Sequence, residues 1–218
     1  MKKVGILIVD DHRVVLEGIK NALQEHAEFE IVGEASNGRQ ALALVRRKRP
    51  DVVVMDISMP DLNGIEATTH IKAFDPRIGV IIYSMYSDNE YVVDLLKAGI
   101  SGFVLKEDPM SELVMAVRAA TWGGTHFSPV VQRIVVDQGR SGRGGRTATK
   151  DPIDDLSLRE REVLQLLAEG KVIKDIASIL DLSPKTVETH KYNIMAKLDI
   201  HSIADLTRIA VKKKLITL

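Results

Sequence analysis

Over the first 122 residues, short apolar runs rich in β-branched side chains alternate five times with stretches of helical periodicity. No other feature of the chain constrains its fold as strongly. The runs are Val4–Val9, Ile31–Ala35, Val52–Met55, Val80–Tyr83 and Gly102–Leu105. Between them, Val14–Glu25, Arg39–Arg49, Ile65–Phe74 and Asn89–Ala98 carry apolar residues at i, i+3/i+4 spacing. A fifth helix is expected from Pro109 to about Trp122, with Asp108 as N-cap and Pro109 at the first helical position. Strict alternation of strand and helix requires a parallel sheet covered by helices on both faces. Right-handed crossovers then leave a doubly wound α/β sandwich as the expected architecture.

The residues that end these runs are polar and chemically related. Strand one ends in Asp10-Asp11, strand three in Asp56, strand four in Ser84 and strand five in Lys106. In a parallel sheet all of these lie on one edge, where open α/β sheets place their ligand chemistry. Three carboxylates brought together repel one another unless protons or a cation neutralise them. A hard divalent ion such as Mg²⁺, held by oxygen ligands and water, meets that demand. Lys106 adds a positive charge and Ser84 a hydroxyl, both able to contact a phosphoryl group. A carboxylate can serve as nucleophile through an acyl phosphate, with metal and lysine stabilising the transferred charge.

Composition narrows the setting. The chain has no cysteine, which excludes disulfides and thiolate metal sites. No apolar run approaches the roughly 18 residues of a membrane span, and Val4–Val9 is too short for a signal-peptide core, so a cytoplasmic protein is expected. The net charge of zero divides unevenly. Residues 1–137 carry 15 Lys+Arg against 19 Asp+Glu, net −4, and residues 138–218 carry 15 against 11, net +4. The two halves therefore suit different partners.

The front half resembles the receiver domain of two-component response regulators. The residues that carry the likeness are Val9-Asp10-Asp11-His12, Met55-Asp56-Ile57-Ser58-Met59-Pro60, Ser84 and Gly102-Phe103-Val104-Leu105-Lys106. The resemblance implies a (βα)5 flavodoxin-like fold and phosphorylation of Asp56 by a partner sensor histidine kinase or a small phosphodonor. It implies that Mg²⁺ is held by Asp11, Asp56 and the backbone carbonyl of Ser58, with Asp10 acting mainly through water. Lys106 would contact the phosphoryl group, Ser84 would be the switch hydroxyl, and Phe103 the aromatic that turns inward with it. Ser58 and Tyr86 occupy positions where side chains tune phosphate lifetime in such receivers. His12 reads as a residue of a loop or helix start. The receiver would catalyse Mg²⁺-dependent phosphoryl transfer to its own Asp56 without being an enzyme otherwise. A haloacid-dehalogenase-like phosphatase also uses an aspartate nucleophile with Mg²⁺, but is expected to carry a second aspartate where this chain has Ser58.

After Trp122-Gly123-Gly124, Ser128–Val136 reads as one more helix, and Gly139–Arg146 packs four Gly and three Arg into eight residues. That segment lacks the flanking strand and helix of a phosphate loop and is expected to be a flexible basic linker. The expected division is thus a receiver over residues 1–124, a connecting helix and linker over 125–153, and a third segment over 154–218.

The last segment is helical in its punctuation. Ser157-Leu158-Arg159-Glu160 is a capping box and Gly170 a natural stop. Val172–Leu180 forms a second helix, Ser183-Pro184 opens a third running to about Leu198, and Ser202 opens a fourth. Two short helices joined by a three- or four-residue turn are the helix-turn-helix pattern. In the third helix Val187, Ile194 and Leu198 share one face, and Lys185, Glu188, Thr189, Tyr192 and Asn193 lie opposite. Such groups reach base edges in the major groove.

The string from Leu156 to Leu164, with Ile176-Ala177, Ser183 to His190 and Lys197-Leu198, resembles the LuxR-type four-helix DNA-binding domain. Joined to a receiver, it makes the chain similar to NarL/FixJ-type response regulators. This implies a recognition helix over residues 184–198, Thr186 included, and a homodimer on phosphorylation that regulates transcription from double-stranded DNA, with RNA polymerase as a further possible partner. Lys171, Lys174, Lys185 and Lys191 are the expected phosphate contacts, and His190 and Glu162 the scaffold. Glu188 stands where many relatives carry a base. It can accept from cytosine N4 but repels phosphate. An adaptor without DNA affinity would require Lys185 and its neighbours to be merely solvated.

Overall fold

The computed structural model describes residues 3–85, 89–141, 152–213 and 215–216. The chain divides into two compact units, one built on the sheet and one helical.

In the first unit β1 (Val4–Val9), β2 (Phe29–Ala35), β3 (Val52–Met55), β4 (Gly79–Ser84), β5 (Gly102–Leu105) and β6 (His126–Phe127) form one parallel sheet in the order β2-β1-β3-β4-β5-β6. The connecting helices are α1 (Arg13–Gln24), α2 (Gly38–Lys48), α3 (Gly64–Phe74), α4 (Asn89–Lys97) and α5 (Met110–Thr121). β3, β4 and β5 are buried along their whole length, as strands covered on both faces must be. One face carries Ile6, Ile8, Val52, Val54, Ile81, Tyr83 and Val104 against Leu16, Ile19 and Leu23 of α1 and Leu113 and Val117 of α5. The alternate residues, Phe103 and Ile82 among them, are buried on the other side.

Two differences from the sequence-based expectation stand out. Pro109, not Asp108, precedes the first residue of α5 and makes no side-chain cap. Asp108 instead accepts the Leu105 N–H at 2.9 Å, closing the loop after β5. A short acidic side chain can satisfy a nearby loop amide as readily as a helix end. The sheet also gains β6, which pairs Gly102 with His126 and Phe103 with Phe127. The helix expected after it is α6 (Pro129–Ser141). It takes up the first three residues of the expected Gly139–Arg146 linker, and the remainder lies outside the described residues.

The second unit opens with a single 3-10 turn at Pro152–Asp155. It continues as α7 (Leu158–Ala168), α8 (Ile173–Leu180), α9 (Pro184–Leu198) and α10 (Ile203–Lys212). The capping box forms as the sequence suggests: Glu160 accepts the Ser157 N–H at 2.8 Å and Ser157 Oγ accepts the Glu160 N–H at 3.3 Å. Ser183 and Ser202 cap α9 and α10 in the same way, accepting from Thr186 N and Asp205 N at 3.1 Å each. Leu164, Ile176, Leu180, Val187, Ile194, Leu198 and Leu206 make one buried cluster. Among the described residues, no helix is long and apolar enough to cross a membrane.

Candidate functional site

β1 and β3 are neighbours in the sheet, yet their following helices pack on opposite faces, which opens a crevice at the strand ends. Val9 is in register with Met55 and accepts the Asp56 N–H at 2.9 Å, so Asp10 and Asp56 emerge side by side. Across the next pair, Ser84 is in register with Leu105 and its carbonyl accepts the Lys106 N–H at 2.8 Å. Lys106 is thereby aimed into the same crevice. Its Nζ lies 2.6 Å from Asp10 Oδ2 and 3.3 Å from Asp56 Oδ1. All three side chains are almost wholly buried, and Asp11 remains about 30% exposed at the mouth.

Burial pushes the Asp56 carboxyl up to about 6, with Asp10 adding to the rise and Lys106 opposing it. Burial pulls Lys106 down, but Asp56 and Asp10 outweigh it and raise its pKa. Ligand atoms of Asp10, Asp11, His12 and Asp56 lie within 4.8 Å of one another. One ammonium cannot neutralise three carboxylates. The donor set, mainly carboxylate oxygen at a solvent-open rim, fits a hard divalent cation.

The helical unit presents a different chemistry. α8 and α9 are joined by Asp181, Leu182 and Ser183, with Asp181 in the left-handed region at φ 52°. Val187, Ile194 and Leu198 hold α9 in the core. Lys185, Glu188, Thr189 and Tyr192 are exposed on it, and Thr186, Lys191 and Asn193 are half-buried. Thr186 shares a 2.8 Å hydrogen bond with Ser183 at the helix start, and Thr189 donates to the Lys185 carbonyl at 2.9 Å. Lys174 is exposed on α8 and Lys171 half-buried just before it. Glu162 is buried and takes Arg159 at 2.9 Å. His190 is half-buried, with a buried Nδ1 that has no hydrogen-bond partner among the described residues.

Comparison with known proteins matches both units. The response regulator receiver domain family covers residues 6–118, and the luxR family of bacterial regulatory proteins covers residues 154–210. The oxygen regulatory protein NreC of Staphylococcus epidermidis is 38% identical over 97% of this chain and 98% of its own. The chain belongs to the NarL/FixJ-type response regulators. The transcriptional regulatory protein DegU of Brevibacillus brevis is 36% identical, covering 91% of this response regulator and 89% of DegU. The RcsB response regulator of Salmonella typhimurium superposes with a TM-score of 0.59 at 28% identity, over 97% of this chain and 100% of that one. A structure of two RcsB dimers bound to two parallel DNAs gives 0.58 at 28% identity, over 95% and 97% of the two chains.

Within this response regulator the structure brings Asp10, Asp11, Asp56 and Lys106 into one cluster. Ser84 is fully buried at the end of β4, and Phe103 is fully buried on β5 with its side chain already inward. The Ser58 hydroxyl is buried and makes no hydrogen bond among the described residues. Tyr86 lies outside the described residues.

Two neighbours of the site escape sequence reasoning. His12 Nδ1 lies 2.9 Å from Asp11 and 3.3 Å from Asp10, and the His12 backbone N–H donates to Asp10 Oδ1 at 2.9 Å. Its place directly after the acid pair is the signal that could have revealed it. Gly64 matters for space: a Cβ there would stand 2.0 Å from the Asp56 carbonyl oxygen. The α3 cap beside it, Asn63, is buried and accepts from Ile65 N at 2.9 Å and Glu66 N at 3.1 Å.

Proposed function

We propose that this response regulator is switched by phosphorylation of Asp56, and that the switch governs sequence-specific DNA binding by its LuxR-type unit. The observation that carries the reading is the convergence of Lys106 Nζ on Asp56 and Asp10, within a carboxylate cluster at the ends of adjacent strands. An Asp56 carboxylate oxygen attacks the phosphorus of a phosphohistidine on a partner sensor kinase, or of a small acyl phosphate. The bond from phosphorus to the leaving group breaks, and an acyl phosphate forms on Asp56. Asp11, Asp56 and the Ser58 backbone carbonyl would hold Mg²⁺, with Asp10 beside them. When bound, that ion supplies charge neutralisation and orientation for the transferred group. Lys106 offsets part of the added negative charge, and Ser84 and Phe103 read it as the switch pair.

The phosphoryl group adds roughly two negative charges and new acceptors at the strand ends. The output is dimerisation and binding of paired half-sites, with α9 as the recognition helix. Support comes from the exposure of Lys185, Glu188, Thr189 and Tyr192 and from the RcsB dimers seen on DNA. Lys171, Lys174, Lys185 and Lys191 contact phosphates, and RNA polymerase is a candidate downstream partner. Residues 1–124 act as receiver, 125–153 as connector and 154–218 as DNA reader, in the cytoplasm.

The test is intact mass after incubation with acetyl phosphate and Mg²⁺, for the wild type and Asp56→Asn, followed by DNA binding of each product. An adduct of about 80 Da, one phosphoryl group in place of a proton, should appear only in the wild type and should raise DNA affinity. An equal adduct in the variant moves the chemistry elsewhere.

A further inference from the structure

The last turn of α2 consists of Arg46, Arg47 and Lys48, and Arg49 follows as its cap. These are four cations in succession, all exposed, in a stretch, residues 1–137, whose formal charge is −4. A helix C-terminus favours cations near its last carbonyls. Four adjacent ones, with Arg46 and Arg49 three residues apart, also repel one another. Elsewhere on this unit Lys20 pairs with Glu34, Arg77 with Asp75, Lys97 with Asp94 and Arg118 with Glu28.

Arg46, Arg47 and Lys48 form no ion pair among the described residues. The Arg49 guanidinium lies over the Phe74 ring, 4.4 Å from its centroid. Two nearby acids are already engaged: Asp75 is held by two hydrogen bonds from the Arg77 side chain, and Asp51 accepts the Gly5 N–H at 2.7 Å. The C-terminus of α2 leads into the N-terminal end of β3, so the cluster sits at the sheet edge opposite Asp10 and Asp56. Its charge does not serve the acidic crevice.

We propose that Arg46, Arg47, Lys48 and Arg49 are a docking surface for the phosphate backbone of duplex DNA lying beside the sequence that α9 reads. This rests on DNA binding by the LuxR-type unit. A duplex offers closely repeated phosphates to a row of exposed cations. The same chain binds that duplex through α9, which raises its effective concentration at any second contact. Arg49, fixed against Phe74, loses less freedom on binding than a free side chain. Anionic lipid would satisfy the same charges, and the experiment separates it from DNA.

The full-length protein and the triple variant Arg46→Gln, Arg47→Gln, Lys48→Gln are titrated by fluorescence anisotropy with a random-sequence 60-bp duplex and a 20-bp duplex, across a range of KCl. Glutamine keeps helix propensity at these exposed positions. Each lost phosphate contact removes about 0.9 from the slope of log affinity on log salt, so the variant's slope on the 60-bp duplex should be shallower by about 2–3. Its affinity there should fall about tenfold at low salt, with a smaller loss on the 20-bp duplex. Equal slopes for the two proteins on the 60-bp duplex overturn the proposal. So does equal DNA binding combined with loss of binding to phosphatidylserine vesicles, which reassigns the patch to membrane. A wild type that binds neither duplex overturns the DNA-binding reading itself.

Discussion

Lys106 Nζ stands closer to Asp10, at 2.6 Å, than to the proposed phosphoacceptor Asp56, at 3.3 Å. One buried ammonium is shared by two buried carboxylates, and it is the nearest compensation for either. Removing one partner of a buried charge cluster leaves the others uncompensated, which costs about 3–5 kcal/mol. Lys106→Met should therefore destabilise the receiver by that order in urea unfolding at pH 7.5. Added Mg²⁺ should recover part of the loss by replacing the missing positive charge. A variant as stable as the wild type in metal-free buffer would show that the carboxylates are neutralised by other means.

Asp56 supplies a pH dependence whose sign follows from its environment. Its carboxyl is raised by burial from an ordinary 3.8 to about 6 in the folded protein. The folded state thus holds the proton more tightly than the unfolded chain. The associated stability is fully present below about pH 4 and is lost as pH rises through about 6. The difference corresponds to something on the order of 3 kcal/mol. Asp56→Asn cannot ionise, so in metal-free buffer it should be more stable than the wild type at pH 7.5. That advantage should shrink towards zero by about pH 4. An advantage that is flat between pH 4 and 8 would mean that Asp56 is not a buried acid.

The legible part of this protein was the local part. Asp10, Asp11, Asp56, Ser84 and Lys106 each end an apolar run, so strand periodicity alone places them on one edge. Ser157, Ser183 and Ser202 announce their helices because a cap is a contact between residues two or three apart. What stayed hidden depends on the path the folded backbone takes, even where the partners are near in sequence. β6 is two residues long and exists because His126 and Phe127 pair with β5, which no periodicity can register. Asp108 looks like a cap beside Pro109, yet the amide of Leu105 claims its carboxylate. His12 is marked only by its place after the acid pair, and its ring meets Asp11, at 2.9 Å, only in the folded chain. The closer approach of Lys106 to Asp10 than to Asp56 likewise emerges only when β1, β3 and β5 are assembled.

Gly64 is a position where a single methyl should disable the site without touching its chemistry. An added Cβ would stand 2.0 Å from the Asp56 carbonyl oxygen and 3.1 Å from Ile57 Cα, both fixed backbone. The Gly64 N–H also donates to the Ile57 carbonyl at 2.8 Å, which holds the loop after β3 against α3. Gly64→Ala must push that loop away. The expected cost is more than about 2 kcal/mol, in the range of overpacked core substitutions, together with loss of acetyl phosphate labelling. Thermal unfolding and intact mass measure the two effects separately. Wild-type labelling would mean that the loop yields without moving Asp56.

Glu188 is the one acid on the exposed side of α9, beside Lys185, Thr189 and Tyr192. Two physical effects pull it in opposite directions on DNA. Its charge repels phosphates whatever the sequence, whereas a hydrogen bond accepted from cytosine N4 would favour particular sites and contribute about 1–3 kcal/mol there. Glu188→Gln separates them. On random-sequence duplex the variant should bind several-fold more tightly at low salt, because a repulsive charge is gone. On the regulator's own operator, a base-reading role would make the variant weaker despite that gain, by about 1 kcal/mol or more. Anisotropy titrations on both duplexes give the two numbers. A gain of equal size on both would assign Glu188 to the general electrostatics of the helix and leave sequence reading to its neighbours.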